Sequence, residues 1–182
     1  MRKLNAILSM GVLVLFIVHA VAGGFQLAGV FRGGSQLMKI LAWIMTGLIA
    51  LHTLIGIKLT ADTLITARRS GASYFKENKL FWLRRISGFA IMVFIAFHIL
   101  IFMGSSDGAF RLKLFESAQL ISQLLLVASI AVHVLSNIRP LMISLGIKGF
   151  REAFIDLLLI LSIILAFTGA AFVIYYLRWN VF

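Results

Sequence analysis

Residues 81–103 read FWLRRISGFAIMVFIAFHILIFM, a stretch of 23 residues whose only charges lie at its fourth and fifth positions. The rest of the stretch is almost entirely apolar, and a helix that crosses a bilayer needs about 20 such residues. The stretch therefore predicts a transmembrane helix that begins beside a pair of arginines and carries His98 deep within its apolar part.

The same pattern recurs along the chain, so that apolar segments take up most of its 182 residues. Five spanning helices are expected, at about 5–30, 38–65, 81–103, 118–138 and 154–177. Hydrophobic residues make up 62% of the chain, against about 45–50% in soluble domains. We therefore expect an all-α membrane protein, in which residues 1–182 form a single bundle of five transmembrane helices in the lipid bilayer.

The first segment shares some features with a cleaved signal peptide. Arg2 and Lys3 would supply its basic start, and Ala20-Val21-Ala22 is similar to a cleavage site. The apolar stretch, however, continues to Val30, beyond the usual length of a signal peptide. We expect this segment to be retained as a helix.

The composition also limits the classes of function. The chain has no cysteine, which excludes a thiolate-bound iron–sulfur cluster, a disulfide and a covalently attached c-type haem. The net charge of +11 would suggest nucleic-acid binding in a soluble protein. In a membrane protein such charge fixes the topology, so we expect no nucleic-acid partner.

Successive helices cross the membrane in opposite directions, so each basic residue can be assigned to one side of the membrane. The two sides receive unequal numbers of basic residues. Twelve fall on the side of the N-terminus: Arg2, Lys3, Lys58, Arg68, Arg69, Lys76, Lys79, Arg84, Arg85, Arg139, Lys148 and Arg151. Five fall on the other side: Arg32, Lys39, Arg111, Lys113 and Arg178. Because cytoplasmic loops carry the excess of Lys and Arg, we expect a bacterial cytoplasmic membrane, with the N-terminus inside and the C-terminus outside. Pro140 is expected to end the fourth helix.

Each of the first four segments carries one histidine, and the chain has no others: His19, His52, His98 and His133. A helix rises about 1.5 Å per residue, so the depth of a side chain can be counted from the nearest surface charge. His52 and His133 each lie six residues before a basic residue, about 9 Å from the inner surface. His19 and His98 lie sixteen residues past Lys3 and thirteen past Arg85, about 20–24 Å deep.

Two histidines in each of two layers, on non-consecutive helices, match the ligands that two haems b require. Imidazole binds haem iron without bringing a charge into the membrane, and ionisable residues at this depth are costly and usually functional. The depths pair His52 with His133 for an inner haem, and His19 with His98 for an outer one. A proton relay, another metal, or simple hydrogen bonding between helices are the alternatives.

Neighbouring residues fit this prediction. Gly23 and Gly56 each follow a histidine by four positions, on the same helix face, where a small residue lets a flat ring approach. The same glycines would also allow close helix packing. Cations that could bind haem propionates are Lys58 and Arg139 at the inner layer, and Arg32, Lys39, Arg111 and Lys113 at the outer layer.

With these features the chain resembles the dihaem cytochrome b membrane-anchor subunit of succinate:quinone oxidoreductases, the family of succinate dehydrogenases and fumarate reductases. The resemblance covers nearly the whole chain. It rests on five helices with histidines on the first four, and on residues 84–88, RRISG, which are similar to the Arg-x-Ser/Thr-Gly helix start of these anchors. It implies that His19 and His98 hold the distal haem, and His52 and His133 the proximal one. Unlike some dihaem fumarate reductases, the chain has no glutamate within an apolar segment.

The resemblance implies an electron-transfer function. A flavoprotein subunit and an iron–sulfur subunit would bind the cytoplasmic face, and electrons would pass between them and a membrane quinone, expected to be menaquinone, through the haems. The chain would not act on succinate or fumarate by itself. Two other functions remain open: a dihaem electron carrier of the cytochrome b561 type, and a haem-free transporter with buried histidines.

The quinone site is expected at the outer end of the first three helices, as the family resemblance implies. Asp107, which could carry a proton, and Gln36 are the main polar candidates there, with Gln26 and Ser105 beside them. The competing position lies on the inner side, beside the RRISG segment.

Overall fold

The chain is described by a computed structural model that covers residues 1–33, 35–71, 78–103, 115–147 and 151–181, without the side chains of 151–153. These residues form five α-helices and no strand. The helices are α1 Arg2–Leu27, α2 Gln36–Arg69, α3 Lys79–Phe102, α4 Ser117–Ser144 and α5 Arg151–Asn180. All five are long and apolar enough to cross a membrane, which confirms the expected all-helical architecture of a multi-pass membrane protein.

Short polar signals set the ends of these helices. Ser35 precedes α2, and its hydroxyl accepts a hydrogen bond from the backbone N–H of Met38 at 3.4 Å. At the start of α4, the side-chain oxygen of Gln119 accepts from the backbone N–H of Glu116 at 2.8 Å. Helix α2 is followed by Gly71, whose φ of +70° is a conformation that glycine adopts without steric cost.

The helices pack as two antiparallel pairs joined by the fifth helix. Helices α1 and α2 form the first helix pair, and α3 and α4 form the second helix pair. Helix α5 lies against both α1 and α4, which also touch each other more lightly. The interior of the bundle is therefore built by α1, α4 and α5.

Two clusters of buried apolar side chains mark this interior. One joins Leu13 of α1 to Leu161 of α5 and to Ile138 and Met142 of α4. The other lies at the opposite end of the bundle and includes Leu27, Phe115, Ala171, Phe172 and Tyr175. Both clusters lie along α5, so α5 supplies packing on one side of the bundle rather than histidines.

Helices α2 and α3 contribute little to this interior. The structure describes every residue of both helices, and only Ala67 of α2 and Ser87 of α3 are buried. The main contacts of α2 are with α1, and those of α3 are with α4. The first and second helix pairs therefore face each other, on the side of the bundle away from α5, without the close packing that joins the members of each pair.

The expectation that Pro140 ends the fourth helix is wrong, because α4 continues through it to Ser144. A proline has no N–H, so the carbonyl four residues earlier, that of Ser136, loses its helical donor. Arg84 of α3 replaces this donor, since its Nε donates to the Ser136 carbonyl oxygen at 3.0 Å. A contact between helices thus compensates for the proline and lets α4 continue.

Hydrogen bonds at the ends of the helices show which helix ends lie together. At one end of the bundle, Nη1 of Arg178 donates to the carbonyl oxygen of Leu27 at 2.9 Å, and Nδ2 of Asn180 donates to that of Phe115 at 2.8 Å. The other end carries the starts of α1, α3 and α5 and the ends of α2 and α4. We call this second end the N-terminal side.

Candidate functional site

The structure brings the four histidines together in two pairs. His19 of α1 lies beside His98 of α3, with ring centroids 6.0 Å apart and ring planes at 76°. His52 of α2 lies beside His133 of α4, with centroids 6.4 Å apart and planes at 81°. Each pair joins the first helix pair to the second, and the His52–His133 pair is the nearer to the N-terminal side. The depth count grouped the same histidines.

The spacing of the rings can be compared with that of two imidazoles bound to one metal ion. A histidine nitrogen binds a metal at about 2 Å and lies about 1 Å from the centre of its own ring, so two imidazoles on opposite sides of one metal have centroids about 6 Å apart. The observed 6.0 and 6.4 Å agree with this value.

Each pair consists of two histidine side chains. Within the described residues, no group of three or more His, Asp or Glu side chains is placed to hold a metal ion. A bare zinc ion needs three or four protein ligands. Haem iron needs only two axial ligands, since the porphyrin supplies the other four nitrogens.

The backbone of α3 fixes the proton on the ring of His133. Nδ1 of His133 lies 3.1 Å from the carbonyl oxygen of Arg84 and 3.3 Å from Oγ of Ser87. A carbonyl oxygen can only accept a hydrogen bond, so Nδ1 carries the proton and donates it. The lone pair is then on Nε2, the nitrogen left free for a metal.

Gly88, the last residue of the RRISG segment, has no side chain and so leaves space for the His133 ring. A Cβ added to Gly88 would lie 3.2 Å from Cε1 and 3.4 Å from Nδ1 of His133, closer than a side chain comfortably allows. Three members of the segment therefore surround His133: Arg84 through its carbonyl, Ser87 through its hydroxyl and Gly88 through its missing side chain. The sequence identified this segment only by its resemblance.

A serine of α1 fixes the proton of His52. Oγ of Ser9 donates to the carbonyl oxygen of Asn5 at 2.8 Å and lies 3.1 Å from Nδ1 of His52. Because the hydroxyl proton is used toward Asn5, the hydroxyl oxygen accepts from Nδ1. His52, like His133, is left with its lone pair on Nε2.

His98 is held through two side chains of α4, Ser122 and Gln123, which are anchored on a backbone carbonyl of the same helix. Oγ of Ser122 donates to the carbonyl oxygen of Gln119 at 2.7 Å, so it accepts from Nε2 of Gln123 at 3.1 Å. That orientation turns Oε1 of Gln123 toward His98, where it accepts from Nδ1 at 2.7 Å. Gln123 is fully buried, with 0% of its surface exposed.

Two of these hydrogen-bond partners were missed by the sequence analysis. Ser9 and Gln123 lie within apolar helices that contact the histidine-bearing helices. A polar side chain inside a spanning segment is a signal in itself. The signal does not say which histidine it serves, because that depends on how the helices are rotated against each other.

The glycines near the outer and inner pairs border open space. A Cβ added to Gly23 or to Gly56 would meet no described atom within 4 Å. Both glycines follow a histidine by four positions and share its helix face. The helix surface beside His19 and His52 is therefore not filled by other described side chains.

The cations expected at the inner layer lie at the surface, and their contact with haem propionates stays a prediction. Lys58 and Arg139 are exposed. The half-buried Arg85 lies near both His52 and His133. Its guanidinium carbon lies 4.8 Å from the centre of the Phe81 ring, a cation–π contact that holds the charge at the N-terminal side.

The residues predicted for the outer end are only partly described. Gln36 is exposed at the first turn of α2, and Gln26 is half-buried near the end of α1. Asp107, Ser105, Arg111 and Lys113 lie outside the described residues. The quinone site and the outer propionate contacts therefore stay predictions.

Comparison of the chain with protein-family models, curated proteins and solved structures gave no match. The functional argument accordingly depends on the residues and on the geometry of the histidine pairs.

Proposed function

We propose that the chain is a dihaem transmembrane cytochrome b, in which His52 and His133 hold an inner haem b and His19 and His98 hold an outer one. The observation that carries the proposal is the spacing of the two pairs, whose ring centroids lie 6.4 and 6.0 Å apart. Two imidazoles on opposite axial positions of one iron require about this distance.

The protonation of the rings supports axial ligation. His52, His98 and His133 all use Nδ1 as a donor to an oxygen, which leaves Nε2 as the ligand atom. Neutral imidazoles of this kind introduce no charge into the apolar interior. A proton relay would instead need rings that can exchange protons at both nitrogens.

The packing of the helices supports a flat cofactor between the two helix pairs. Helices α2 and α3 bury one residue each, and each has its main contacts with one neighbour. Gly23 and Gly56 leave open helix surface beside the histidines. A porphyrin between the pairs would cover these faces with apolar surface and exclude water and lipid from the ligands.

Within this assignment the chain serves as the membrane anchor of a succinate dehydrogenase or fumarate reductase complex. When bound, the haems supply one-electron redox chemistry. The chain supplies the ligands, their orientation and the burial. The proposal rests on the family resemblance of the RRISG segment and of the histidine pattern, and on the lack of cysteine in the sequence, which leaves iron–sulfur chemistry to a partner subunit.

The N-terminal side is the proposed docking face for those partners, in a bacterial cytoplasmic membrane with this side inside. The alternation of helices along the sequence assigns twelve of the 17 basic residues to this side. A basic face attracts acidic partner surfaces and raises the rate of encounter. Electrons would pass between this face and quinone through the inner and outer ligand layers.

The quinone site is proposed at the outer end, with Asp107 and Gln36 as its polar residues. If so, Asp107→Asn should lower quinone-linked turnover of the assembled complex while both haems are retained. Arg85→Leu tests the inner alternative in the same assay. Loss of turnover in the Arg85 variant alone, with both haems present, would place the site on the N-terminal side instead.

Haem content tests the central proposal directly. The chain, purified in detergent after expression with haem supply, should give about two haems per chain by pyridine haemochrome assay, with low-spin b-type spectra. A value near zero would reject haem binding and favour a transporter. Co-purification of a flavoprotein subunit would then distinguish the anchor from a cytochrome b561-type carrier.

A further inference from the structure

Gln123 is an unusual residue for its position. It is one of two buried polar side chains in the described part of the chain, and none of its surface is exposed. Placing an amide in an apolar interior is costly unless its donors and acceptor are satisfied. The hydrogen bonds that Gln123 makes therefore decide what it contributes.

Both ends of this amide are satisfied, and the direction of each bond is fixed. Ser122 donates its hydroxyl proton to the Gln119 carbonyl oxygen at 2.7 Å, which makes Oγ of Ser122 an acceptor for Nε2 of Gln123 at 3.1 Å. The acceptor oxygen Oε1 then faces Nδ1 of His98 at 2.7 Å. This is the shortest of the contacts between a histidine nitrogen and a neighbouring oxygen in the described residues.

We propose that Gln123 is a positioning residue for the outer haem. By accepting a hydrogen bond from the Nδ1–H group, it leaves the lone pair on Nε2, the nitrogen that would bind the iron, sets the orientation of the His98 ring and makes the imidazole a stronger electron donor. The inference rests on the proposed haem ligation, and it adds a residue that does not itself touch the iron.

A role of this kind has an electronic consequence that packing alone does not have. A stronger imidazole donor stabilises ferric iron more than ferrous iron. Loss of the acceptor should therefore raise the midpoint potential of the outer haem. For each tenfold loss of ferric relative to ferrous stability, the one-electron potential rises by about 59 mV.

The test is a redox titration of the full chain in detergent, followed by optical and electron paramagnetic resonance spectra. His98→Ala first identifies the outer component. Gln123→Leu should raise the potential of that component and shift its low-spin resonance, while the inner haem stays unchanged. Gln123→Glu keeps an acceptor oxygen, so it should retain the outer haem at a potential no higher than that of the unmodified chain.

Two controls separate positioning from general damage. Gln119→Leu makes the same change one turn earlier, at a side chain that bonds only the Glu116 backbone, and it should move neither potential. Ser9→Ala removes the oxygen beside Nδ1 of His52, so it should shift the inner haem alone. Nonspecific loosening of the bundle would not shift only the outer haem in Gln123→Leu and only the inner haem in Ser9→Ala.

The outcomes distinguish this inference from the proposed function. Loss of the outer haem in Gln123→Leu with its retention in Gln123→Glu would also support the inference, because the acceptor alone differs. If Gln123→Leu behaves like Gln119→Leu, the inference is overturned and the dihaem assignment stands. If the unmodified chain binds no haem, both fail together.

Discussion

The proton on each histidine ring determines which nitrogen can bind a metal. Three oxygens of different kinds hold that proton on Nδ1: a hydroxyl beside His52, a backbone carbonyl beside His133 and a side-chain amide beside His98. Each oxygen belongs to the helix that packs most closely against the histidine-bearing helix. The close packing within each helix pair therefore orients the rings of the proposed ligands.

Loss of either histidine of a pair should remove the same haem. His52→Ala or His133→Ala should delete the same inner component, because one axial ligand rarely holds a low-spin haem alone. His19→Ala or His98→Ala should delete the other. Redox titration of the four variants measures this. Deletion of one shared component by His52→Ala and His19→Ala would contradict the pairing.

Gly88 offers an independent way to displace one ligand without removing it. Gly88→Val would place carbon atoms where the His133 ring lies, since even a Cβ would come within 3.2 Å of that ring. The variant should lose the same component as His133→Ala and keep the other. Gly169→Val is the matched control, because a Cβ there meets no described atom within 4 Å.

The sequence predicted which histidines belong together but not what holds them. Depth follows from counting residues along a helix, so the pairing of His52 with His133 needed no knowledge of rotation. The partners Ser9 and Gln123 depend on which face each helix turns to its neighbour. An apolar face would reveal that rotation, but these helices are apolar on nearly every side, so the pattern does not specify it.

At the scale of single elements, the start of α3 and the end of α4 behave as one unit. The side chain of Arg84 bonds the Ser136 carbonyl, and its own carbonyl accepts from His133. Pro140 creates the need for the first bond by removing a helical donor. The proline thus makes α4 dependent on α3 next to a proposed ligand.

This dependence predicts coupled effects of two substitutions. Arg84→Leu should lower the free energy of unfolding by about 1–3 kcal/mol, because the Ser136 carbonyl loses its partner. The same change should cost much less in a Pro140→Ala background, where residue 140 regains an N–H that donates to Ser136. Thermal unfolding in detergent of the two single variants and the double variant gives the coupling free energy.

Arg68→Leu serves as the control for loss of an arginine, since Arg68 is exposed near the end of α2. It should change Tm little and show no coupling to Pro140→Ala. Equal costs of Arg84→Leu with and without the proline would mean that the Arg84–Ser136 bond does not compensate for Pro140.

The number of helices was predictable, while some of their ends were not. Counting apolar residues gave five segments because a bilayer sets a minimum length. That count could not reveal that α2 extends to Arg69 or that α4 continues past Pro140. Residues 66–69 extend α2 by about one helical turn beyond the apolar stretch. The continuation of α4 past Pro140 needs an arginine from another helix.

At the scale of the whole molecule, the bundle is asymmetric in two directions. Across the bundle, α5 fills one side with packed apolar residues, and the two helix pairs face each other on the other side. Along the bundle, the alternation of helices assigns twelve of the 17 basic residues to the N-terminal side. The first asymmetry leaves room beside the histidines, and the second gives the molecule a direction in the membrane.

The orientation of the bundle in the membrane follows from the retention of basic loops in the cytoplasm during insertion. Loops rich in Lys and Arg stay in the cytoplasm, and twelve basic residues on one side against five on the other predict an inside N-terminal side. A fluorescent reporter that matures only in the cytoplasm should be active when inserted between residues 69 and 79. A phosphatase that is active only outside should work when fused after Phe182. An active phosphatase in the 69–79 link, with an inactive one at Phe182, would reverse the molecule, place the His52–His133 pair nearer the outer surface and move the proposed docking face away from the cytoplasm.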